Sequence, residues 1–582
     1  MRLIEIRLLE GPNVYRLEPV MKVEIGIGRR RSWYGQRVPA RHALVRLGAA
    51  VPAADWPAGV AAVVAWVRRL RKDHGEGTGG VVVHRSSDPG HWIVTWPWSG
   101  AERSQAIADA AFALAERNVS PVRGAQLSGG QSRLLDRWTD RISSAGATPP
   151  SWIHDVDRRI PIVSISGTNG KSTVTRLITH ILRLAGQRVG TTTSDGVLVN
   201  ERMVDPGDWT GPGGAAQILE RSDIDVAVLE TARGGIVLRG VGYESNDASV
   251  LTNVSSDHLD LQGIHTLPEL AEVKSVICRI TKPAGWVILN ADDPFVAAFG
   301  RRVRGNVAYF SLDGRPAVVR RHIASGGRAY LLEDGDLVEV EGERRSTIAA
   351  VSGVPIAIGG LARHNIANAL AAAGAARGLG ATLAQVRDGL RDFRPSSERS
   401  PGRLNLFRLG STVVIVDFAH NEAGLGAVLD VAEGIAAGAA GRTSPITVII
   451  GTAGDRPDDT LRGIGKIAGK RAQRVAVKET LKYLRGRTRA SMIGELLAGV
   501  RSSGRPTADI PVYETETEAL RAEVALNGSS AGRVEAGRVI VLMCHEEREE
   551  VFRLLERLGA RPVDVPSELT ELIPRLQARP RR

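Results

Sequence analysis

The chain has 582 residues, of which 43% are hydrophobic and 24% charged, with 65 glycines, 28 prolines and two cysteines. This length predicts three or four domains with sizeable cores, and the balanced composition excludes a mostly disordered or collagen-like chain. The net charge is +12, from 76 Lys and Arg against 64 Asp and Glu, which suits nucleic acid, a membrane surface, or acidic small molecules and polymers as partners.

Simple patterns disfavour several of these classes. No stretch approaches the ~18 to 20 unbroken apolar residues of a membrane helix, and Glu5 stands where a signal peptide would need an apolar core. Cys278 and Cys544 are far apart in sequence, so neither a disulfide framework nor a zinc site is predicted. Basic clusters such as residues 29–31 and 579–582 are not interleaved with aromatics, as a base-stacking surface would be. We therefore expect a cytoplasmic protein that binds neither nucleic acid nor membrane.

Residues 1–135 show alternating and amphipathic patterns typical of a small α+β domain. The predicted strands and helices are residues 3–9, 61–71, 92–98 and 105–116. Residues 136–158 follow as a predicted linker, because Gly, Ser and paired Pro at 143–150 favour an exposed, irregular chain.

Strand and helix patterns alternate after this linker. Residues 160–165 form a short apolar run of the kind buried on both faces of a parallel sheet, and an amphipathic helix follows. Similar runs occur at residues 226–229, 249–254, 286–289, 413–416, 447–450 and 539–543. The alternation predicts an α/β architecture with doubly wound sheets, divided into a central domain at 159–396 and a C-terminal domain at 397–582.

The strongest chemical signal is residues 166–173, Ser-Gly-Thr-Asn-Gly-Lys-Ser-Thr, between the first apolar strand and its helix. Glycines let a backbone wrap a phosphate, and the helix N-terminus favours an anion. Lys171 is placed to reach the β- and γ-phosphates, and Ser172 or Thr173 offers a hydroxyl to Mg²⁺. The motif is a shortened form of the usual pattern, because Ile165 stands where its first glycine would be.

Three further residues follow predicted strands or lie on helices. Glu230 ends a buried strand, where α/β sheets place ligand-binding groups, although such a residue also serves as a helix cap. His258 lies in the loop after the next strand and is either a metal ligand or a solvated side chain. Lys274 by itself indicates only an exposed helix residue.

In this order and spacing, these segments resemble the central ATPase domain of the Mur ligase family. Residues 191–196, 207–212 and 230–235 are similar in particular to the Mur-like half of the cyanophycin synthetases, and residues 6–13 to the start of their N-terminal domain. The resemblance covers residues 151–582 and this opening segment. It implies a Mur-ligase-like P-loop central domain of the α/β class and a Rossmann-like C-terminal domain, preceded by the α+β N-terminal domain.

The resemblance also implies roles for individual residues. It assigns catalytic roles to Lys171, Glu230, His258 and Lys274, the last matching a lysine that many members carbamylate. It assigns magnesium binding to Ser172, Glu230 and His258. The residues implied to bind ATP are Gly167, Thr168, Asn169, Gly170, Lys171, Ser172, Thr173, Asn290, Arg403 and Asp417.

The implied activity is that of an ATP-dependent, ADP-forming ligase with ATP and Mg²⁺ as cofactors. A substrate carboxylate attacks the γ-phosphate, and an amine then displaces phosphate from the acyl phosphate to form an amide. The cyanophycin synthetases carry an ATP-grasp domain between their N-terminal and Mur-like parts, whereas only residues 136–158 lie there in this chain. We therefore expect one amide-forming site, which adds an amino acid to the side chain of an aspartyl or polyaspartyl substrate.

Two other functions stay open. One is a different Mur or folylpolyglutamate-type ligase, which the cyanophycin-like segments at 191–196 and 207–212 disfavour. The other is a non-catalytic, nucleotide-switched subunit that binds a polymer, which the intact set of catalytic residues disfavours. A homo-oligomer is compatible with all three.

Overall fold

The computed structural model describes residues 1–28, 47–256, 259–437, 444–526 and 537–572. The predicted magnesium ligand His258 and the basic clusters at 29–31 and 579–582 lie outside these residues. The described residues form sheets of four, eleven and seven strands, one in each predicted domain. Among the described helices, none has both the length and the apolar character needed to cross a membrane.

The N-terminal domain is a four-stranded antiparallel sheet covered by helices, as the α+β prediction expected. Its strand order is β1-β2-β4-β3. Its core contains the fully buried side chains of Trp66 and Trp96. The elements are β1 (Arg2–Leu9), β2 (Val20–Gly26), α1 (Ala58–Asp73), β3 (Val82–Arg85), β4 (His91–Pro97), α2 (Ala101–Glu116) and α3 (Gly129–Ser144).

Helix α3 extends into the predicted linker 136–158, so its residues up to Ser144 are helical. The helix starts at a capping box, in which the Ser128 hydroxyl accepts from the Gln131 amide and the Gln131 side chain accepts from the Ser128 amide. Ile142 is fully buried against the rest of the domain. The Gly, Ser and Pro residues at 143–150, from which the linker was predicted, therefore lie at the end of this helix and beyond it. Residues 145–161 connect α3 to the first strand of the central domain.

The central domain is built on the eleven-stranded sheet, whose strand order is β15-β14-β13-β12-β11-β10-β5-β9-β6-β7-β8. Strands β13 to β6 of this order are parallel, as predicted, and antiparallel hairpins extend both edges. The elements are β5 (Ile162–Ser166), α4 (Lys171–Leu184), β6 (Val189–Thr192), β7 (Gly196–Val199), β8 (Arg202–Pro206), α5 (Pro212–Leu219), β9 (Val226–Glu230), α6 (Arg233–Leu238), β10 (Asn246–Leu251), α7 (Leu267–Lys274), α8 (Val276–Arg279), β11 (Thr281–Asn290), α9 (Pro294–Ala297), β12 (Asn306–Ser311), α10 (Ala317–Ala324), β13 (Arg328–Glu333), β14 (Asp336–Glu341), β15 (Arg344–Ala350), α11 (Arg363–Gly378) and α12 (Leu383–Asp392).

The C-terminal domain is a seven-stranded, mainly parallel sheet with the order β20-β19-β18-β21-β17-β16-β22. Parallel strands alternating with helices give the Rossmann-like architecture that the resemblance implied. The elements are β16 (Asn405–Leu409), β17 (Thr412–Asp417), α13 (Glu422–Ala436), β18 (Ile446–Ile450), α14 (Asp458–Arg471), β19 (Arg474–Lys478), α15 (Arg489–Ser502), β20 (Val512–Tyr513), α16 (Glu516–Ala525), β21 (Arg538–Met543), α17 (Arg548–Arg557), β22 (Arg561–Pro562) and α18 (Pro566–Leu572).

The N-terminal and central domains are joined by main-chain hydrogen bonds. The Glu10 amide donates to the Arg239 carbonyl and the Val241 amide donates to the Pro12 carbonyl, each at 2.8 Å. The two segments approach so closely that a Cβ on Gly11 would lie 1.8 Å from the Val241 carbonyl oxygen. Gly240, with φ +82°, makes the same close approach from the other side.

Candidate active site

The carboxyl ends of the parallel strands β5, β9, β10 and β11 meet the C-terminal domain at a large cleft. Loops at this edge of a sheet are where α/β folds bind ligands. The cleft has a volume of about 860 Å³, within the range of small-molecule sites. Its lining contains the following predicted residues: Thr168, Asn169, Gly170, Lys171, Ser172, Thr173, Glu230, Lys274, Asn290, Arg403 and Asp417. The structure thus brings together residues that are up to 249 positions apart (168 to 417) in the sequence.

The two glycines of the phosphate loop are required by their surroundings. Gly167 has φ +148°, and a Cβ there would lie 1.9 Å from Oγ1 of Thr252. Gly170 has φ +86°, and its Cβ would lie 2.4 Å from Oδ1 of Asn368 on α11. A side chain at Gly167 would collide with Thr252, and one at Gly170 would collide with Asn368. Either substitution would therefore force the loop away from β10 or α11.

The end of β10 holds the loop in this shape. The Thr168 amide donates to the Asn253 carbonyl at 2.8 Å, and the Asn169 amide donates to Oδ1 of Asn253 at 2.9 Å. The Thr252 hydroxyl donates to the Asn169 carbonyl at 2.7 Å. Asn253 and Thr252 are therefore positioning residues that the sequence interpretation did not single out. Their position directly after a buried strand was the signal available for finding them.

Lys171 and Ser172 begin helix α4 and face the cleft. Nζ of Lys171 donates to the Thr168 carbonyl at 2.9 Å, so its ammonium lies over the loop. Oγ of Ser172 lies 3.4 Å from Oγ of Ser194 and 3.4 Å from a guanidinium nitrogen of Arg403. A cation, a hydroxyl and a helix N-terminus therefore converge on the space above the loop, an arrangement that favours a phosphate group.

Glu230 ends β9 beside this loop and is 2% exposed. Burial raises the pKa of its carboxyl, and the Lys171 ammonium and the Ser172 hydroxyl act in the opposite direction. Its Oε2 is buried without a hydrogen-bond partner among the described residues. An unpaired buried carboxylate oxygen is costly unless a cation binds it, so the residues present fit a divalent cation with oxygen ligands.

Lys274 is buried, contrary to the exposed helix residue that its sequence alone indicated. It ends α7, is 5% exposed, and its Nζ donates to the Gly167 carbonyl at 2.7 Å. It therefore contacts the phosphate loop directly. Asn290 ends β11, and its Nδ2 donates to the Thr252 carbonyl at 2.7 Å while its side chain lines the cleft.

The C-terminal domain contributes Arg403 and Asp417 from the opposite wall. A guanidinium nitrogen of Arg403 lies 3.3 Å from Oγ of Ser194, and its guanidinium carbon lies 4.5 Å from the centre of the Phe418 ring. Oδ2 of Asp417 accepts from the Leu404 amide at 2.7 Å, and burial raises the pKa of this carboxyl. These contacts fix the Arg403 side chain over the phosphate loop.

Asp195 is a central residue of the domain interface to which the sequence interpretation assigned no role. Its carboxylate accepts from Arg176 at 2.7 Å and from Arg548 of the C-terminal domain at 2.8 Å. Burial opposes its ionisation, but the guanidinium groups of Arg403, Arg548 and Arg176 outweigh burial and hold its pKa well below the usual range. The only signal for Asp195 in the sequence was its position in segment 191–196, which resembles the Mur-like half of the cyanophycin synthetases.

Together, the parallel sheet and a glycine-rich loop that starts a helix define a P-loop protein of the α/β class. Residues 165–376 match the Mur ligase middle domain. The cyanophycin synthetase of Crocosphaera subtropica is 40% identical over 403 residues, which are 69% of this chain and 44% of that protein. The UDP-N-acetylmuramyl-tripeptide synthetase of Deinococcus radiodurans is 28% identical over 416 residues, 70% of this chain and 76% of that protein.

Residues 165–376 are thus similar to the middle domain of the Mur ligases, in line with the resemblance seen in the sequence. The chain spans less than half the length of the cyanophycin synthetase that it matches. Among solved structures, the chain is similar to a bifunctional folylpolyglutamate synthase/dihydrofolate synthase with Mn, AMPPNP and L-glutamate bound. The two are 17% identical with a TM-score of 0.49, and the match covers 69% of this chain and 89% of that chain.

Proposed function

We propose that this protein is an ATP-dependent, ADP-forming ligase that joins a carboxylate to an amine through an acyl phosphate. The observation that carries the proposal is Glu230. Its buried Oε2, which has no hydrogen-bond partner in the part of the chain that the structure describes, belongs to a side chain beside Lys171 and Ser172 of the phosphate loop. A buried carboxylate at this place is suited to a Mg²⁺ ion that accompanies the phosphates of ATP. The name cyanophycin synthetase of the relative that is 40% identical supports an amide-forming reaction.

In this proposal the residues of the cleft act mainly by alignment and by neutralising charge. Lys171 contacts the terminal phosphates, and Arg403 brings a second positive charge from the C-terminal domain, so closure of the two domains completes the site. Ser172, Glu230 and His258 would hold Mg²⁺, which when bound supplies further positive charge to the phosphate oxygens. Part of the net charge of +12 thus serves a reaction between two anions.

We further propose that the carboxylate is an aspartyl side chain and that the amine belongs to an amino acid. The resemblance to the Mur-like half of the cyanophycin synthetases supports this choice. Residues 145–161 are the whole connection between α3 and β5, which supports a single amide-forming site. The chain would then modify an existing acidic substrate and leave the polymer backbone to another enzyme.

A phosphate-release screen tests the proposal. The 582-residue chain is incubated with Mg²⁺ and ATP, and aspartyl peptides are paired with each amino acid in turn. We expect one or a few pairs to release phosphate and form a product larger by one amino acid. Lys171→Ala should abolish turnover, whereas Lys470→Ala, a change at an exposed residue at the end of α14, should not. Turnover that survives Lys171→Ala contradicts the proposed site, and tight ATP binding without turnover for any pair contradicts a ligase.

A further inference from the structure

A turn of the N-terminal domain contacts the central domain close to the start of α7. His265 lies between two carboxylates: its Nε2 is 3.0 Å from Oδ1 of Asp88, and its Nδ1 is 2.7 Å from Oδ1 of Asp260. Asp88 lies in the turn between β3 and β4, whereas Asp260 and His265 belong to the loop before α7. One imidazole therefore joins the two domains.

The same turn also contacts the first turn of α7. Helix α7 starts with a capping box, in which Thr266 accepts from the Glu269 amide and Oε2 of Glu269 accepts from the His265 and Thr266 amides at 2.9 Å. The other oxygen of Glu269 accepts a hydrogen bond from Ser87. Glu269 is 7% exposed and Ser87 is 9% exposed. We name Ser87, Asp88, His265 and Glu269 the interdomain clasp.

The opposite end of α7 lies in the candidate active site. The helix has eight residues, which is a length of about 12 Å at 1.5 Å per residue. Its last residue, Lys274, donates from Nζ to the Gly167 carbonyl at 2.7 Å. A single short helix therefore connects the clasp to the first glycine of the phosphate loop. A helix this short acts as a rigid unit, because its capping box fixes one end and the buried Leu270 and Val273 fix its face.

We propose that the N-terminal domain positions the phosphate loop through the clasp and α7, so that Ser87 and Asp88 are positioning residues for nucleotide binding. This inference rests on the proposed ATP site. Gly167 adopts φ +148° with no space for a side chain, and its carbonyl accepts the hydrogen bond that Lys274 donates. The direction of this carbonyl therefore depends on the position of the Lys274 ammonium. Loss of the clasp frees the start of α7, which shifts the Lys274 ammonium and leaves the loop in several conformations.

The expected effect is on nucleotide affinity. A loop in several conformations binds nucleotide more weakly, because binding must first select the competent one. Removing one hydrogen bond of the clasp should weaken Mg²⁺-ATP binding by roughly three- to tenfold, the effect of about 1 kcal/mol.

The experiment measures the Kd and the binding stoichiometry of Mg²⁺-ATP by calorimetry with the whole 582-residue chain. The variants are Asp88→Asn and Ser87→Ala, each also assayed for thermal unfolding. Asp73→Asn is the matched control, since Asp73 pairs with Arg69 and Arg123 within the N-terminal domain. Asp88→Glu tests rescue, because it restores a carboxylate within reach of His265.

We expect a higher Kd at unchanged stoichiometry for Asp88→Asn and Ser87→Ala, a partial return for Asp88→Glu, and no change for Asp73→Asn. Clasp variants that bind Mg²⁺-ATP like the unaltered protein overturn the inference while leaving the proposed function intact. Lower stoichiometry at an unchanged Kd also overturns it, because that result indicates a misfolded fraction. If the unaltered protein does not bind Mg²⁺-ATP, the proposed function itself is wrong.

Discussion

The side-chain amides of Asn169 and Asn421 donate to each other across the cleft. Nδ2 of Asn169 lies 3.3 Å from Oδ1 of Asn421, and Nδ2 of Asn421 lies 3.1 Å from Oδ1 of Asn169. Asn169 belongs to the phosphate loop, and Asn421 caps α13 by accepting from the Gly424 amide at 2.8 Å. This pair therefore links the C-terminal domain directly to the phosphate loop.

Asn421→Asp should weaken ATP use without unfolding the C-terminal domain. Aspartate retains the oxygen that caps α13, but it loses the donor to Asn169 and adds a negative charge near the phosphate site. We expect the KM for ATP to rise roughly tenfold, the effect of about 1.4 kcal/mol. Steady-state kinetics checks this, with Asn306→Asp, at the exposed start of β12, as the control. Equal KM values for the two variants would contradict a role for the amide pair.

Glu230→Gln should separate catalysis from stability. Glutamine keeps the shape of the side chain but is a much weaker cation ligand, so turnover should fall by about 100-fold or more and should not recover at high Mg²⁺. Folding raises the pKa of this carboxyl, so the protonated form of Glu230 favours the folded state. This stabilisation is complete below pH 4.5 and is lost as pH rises through the raised pKa. The metal-free variant should therefore be at least as stable as the unaltered protein at pH 8. Thermal unfolding measures this, and Glu220→Gln at the exposed end of α5 is the control.

Arg548→Ala should loosen the contact between the central and C-terminal domains. The change removes a cation from Asp195, whose side chain is 10% exposed, while Arg176 still contacts it. Truncating one partner of a well-desolvated interfacial pair costs about 2 kcal/mol or more. Hydrogen exchange in β6 and α17 should become faster, and turnover should fall. The control is Arg553→Ala on the same helix, where the arginine pairs locally with Glu550. This variant should change neither the exchange rates nor turnover. Equal exchange rates in the two variants would contradict a stabilising contact between the domains at Asp195.

The docking of the N-terminal domain should depend on pH. The hydrogen bond to Asp88 raises the pKa of His265 to about 9, burial opposes this, and Asp260 adds to it. The stabilisation is complete below the ordinary pKa of 6.5 and is lost as pH rises through about 9. His265 in turn lowers the pKa of Asp88, with smaller contributions from His91 and Lys22.

Limited proteolysis between α3 and β5 should accelerate from pH 7 to pH 10 in the unaltered protein. Asp88→Asn should flatten that profile, and a profile independent of pH in both proteins would refute the prediction.

The chemistry of the site was predictable from sequence wherever it depends on local pattern. The glycines, Lys171 and Ser172 form one segment between a strand and a helix, and Glu230 stands at a strand end, so sheet geometry alone brings them together. The contacts of Asp195 with Arg548 and of Asn169 with Asn421 were not predictable. They join residues more than 250 positions apart and depend on how two domains meet.

Burial explains the other differences between prediction and structure. Lys274 has the sequence context of an exposed helix residue, yet it is buried because α7 packs under the phosphate loop. The predicted linker 136–158 begins as helix α3, because Ser128 and Gln131 cap a helix whose polar face masked its buried Ile142. Neither packing partner is adjacent in the sequence, so composition and periodicity were insufficient at both places.

The main-chain bonds between residues 10–12 and 239–241 have a consequence for how this protein can be shortened. Removing residues 1–135 would leave the Arg239 carbonyl and the Val241 amide without their partners and would open the space beside Gly240. Those residues directly follow α6, which begins three positions after Glu230. A truncated chain would thus carry damage next to the proposed cation site, whatever the N-terminal domain binds. The N-terminal and central domains would therefore have to be kept together in any shortened form of this protein.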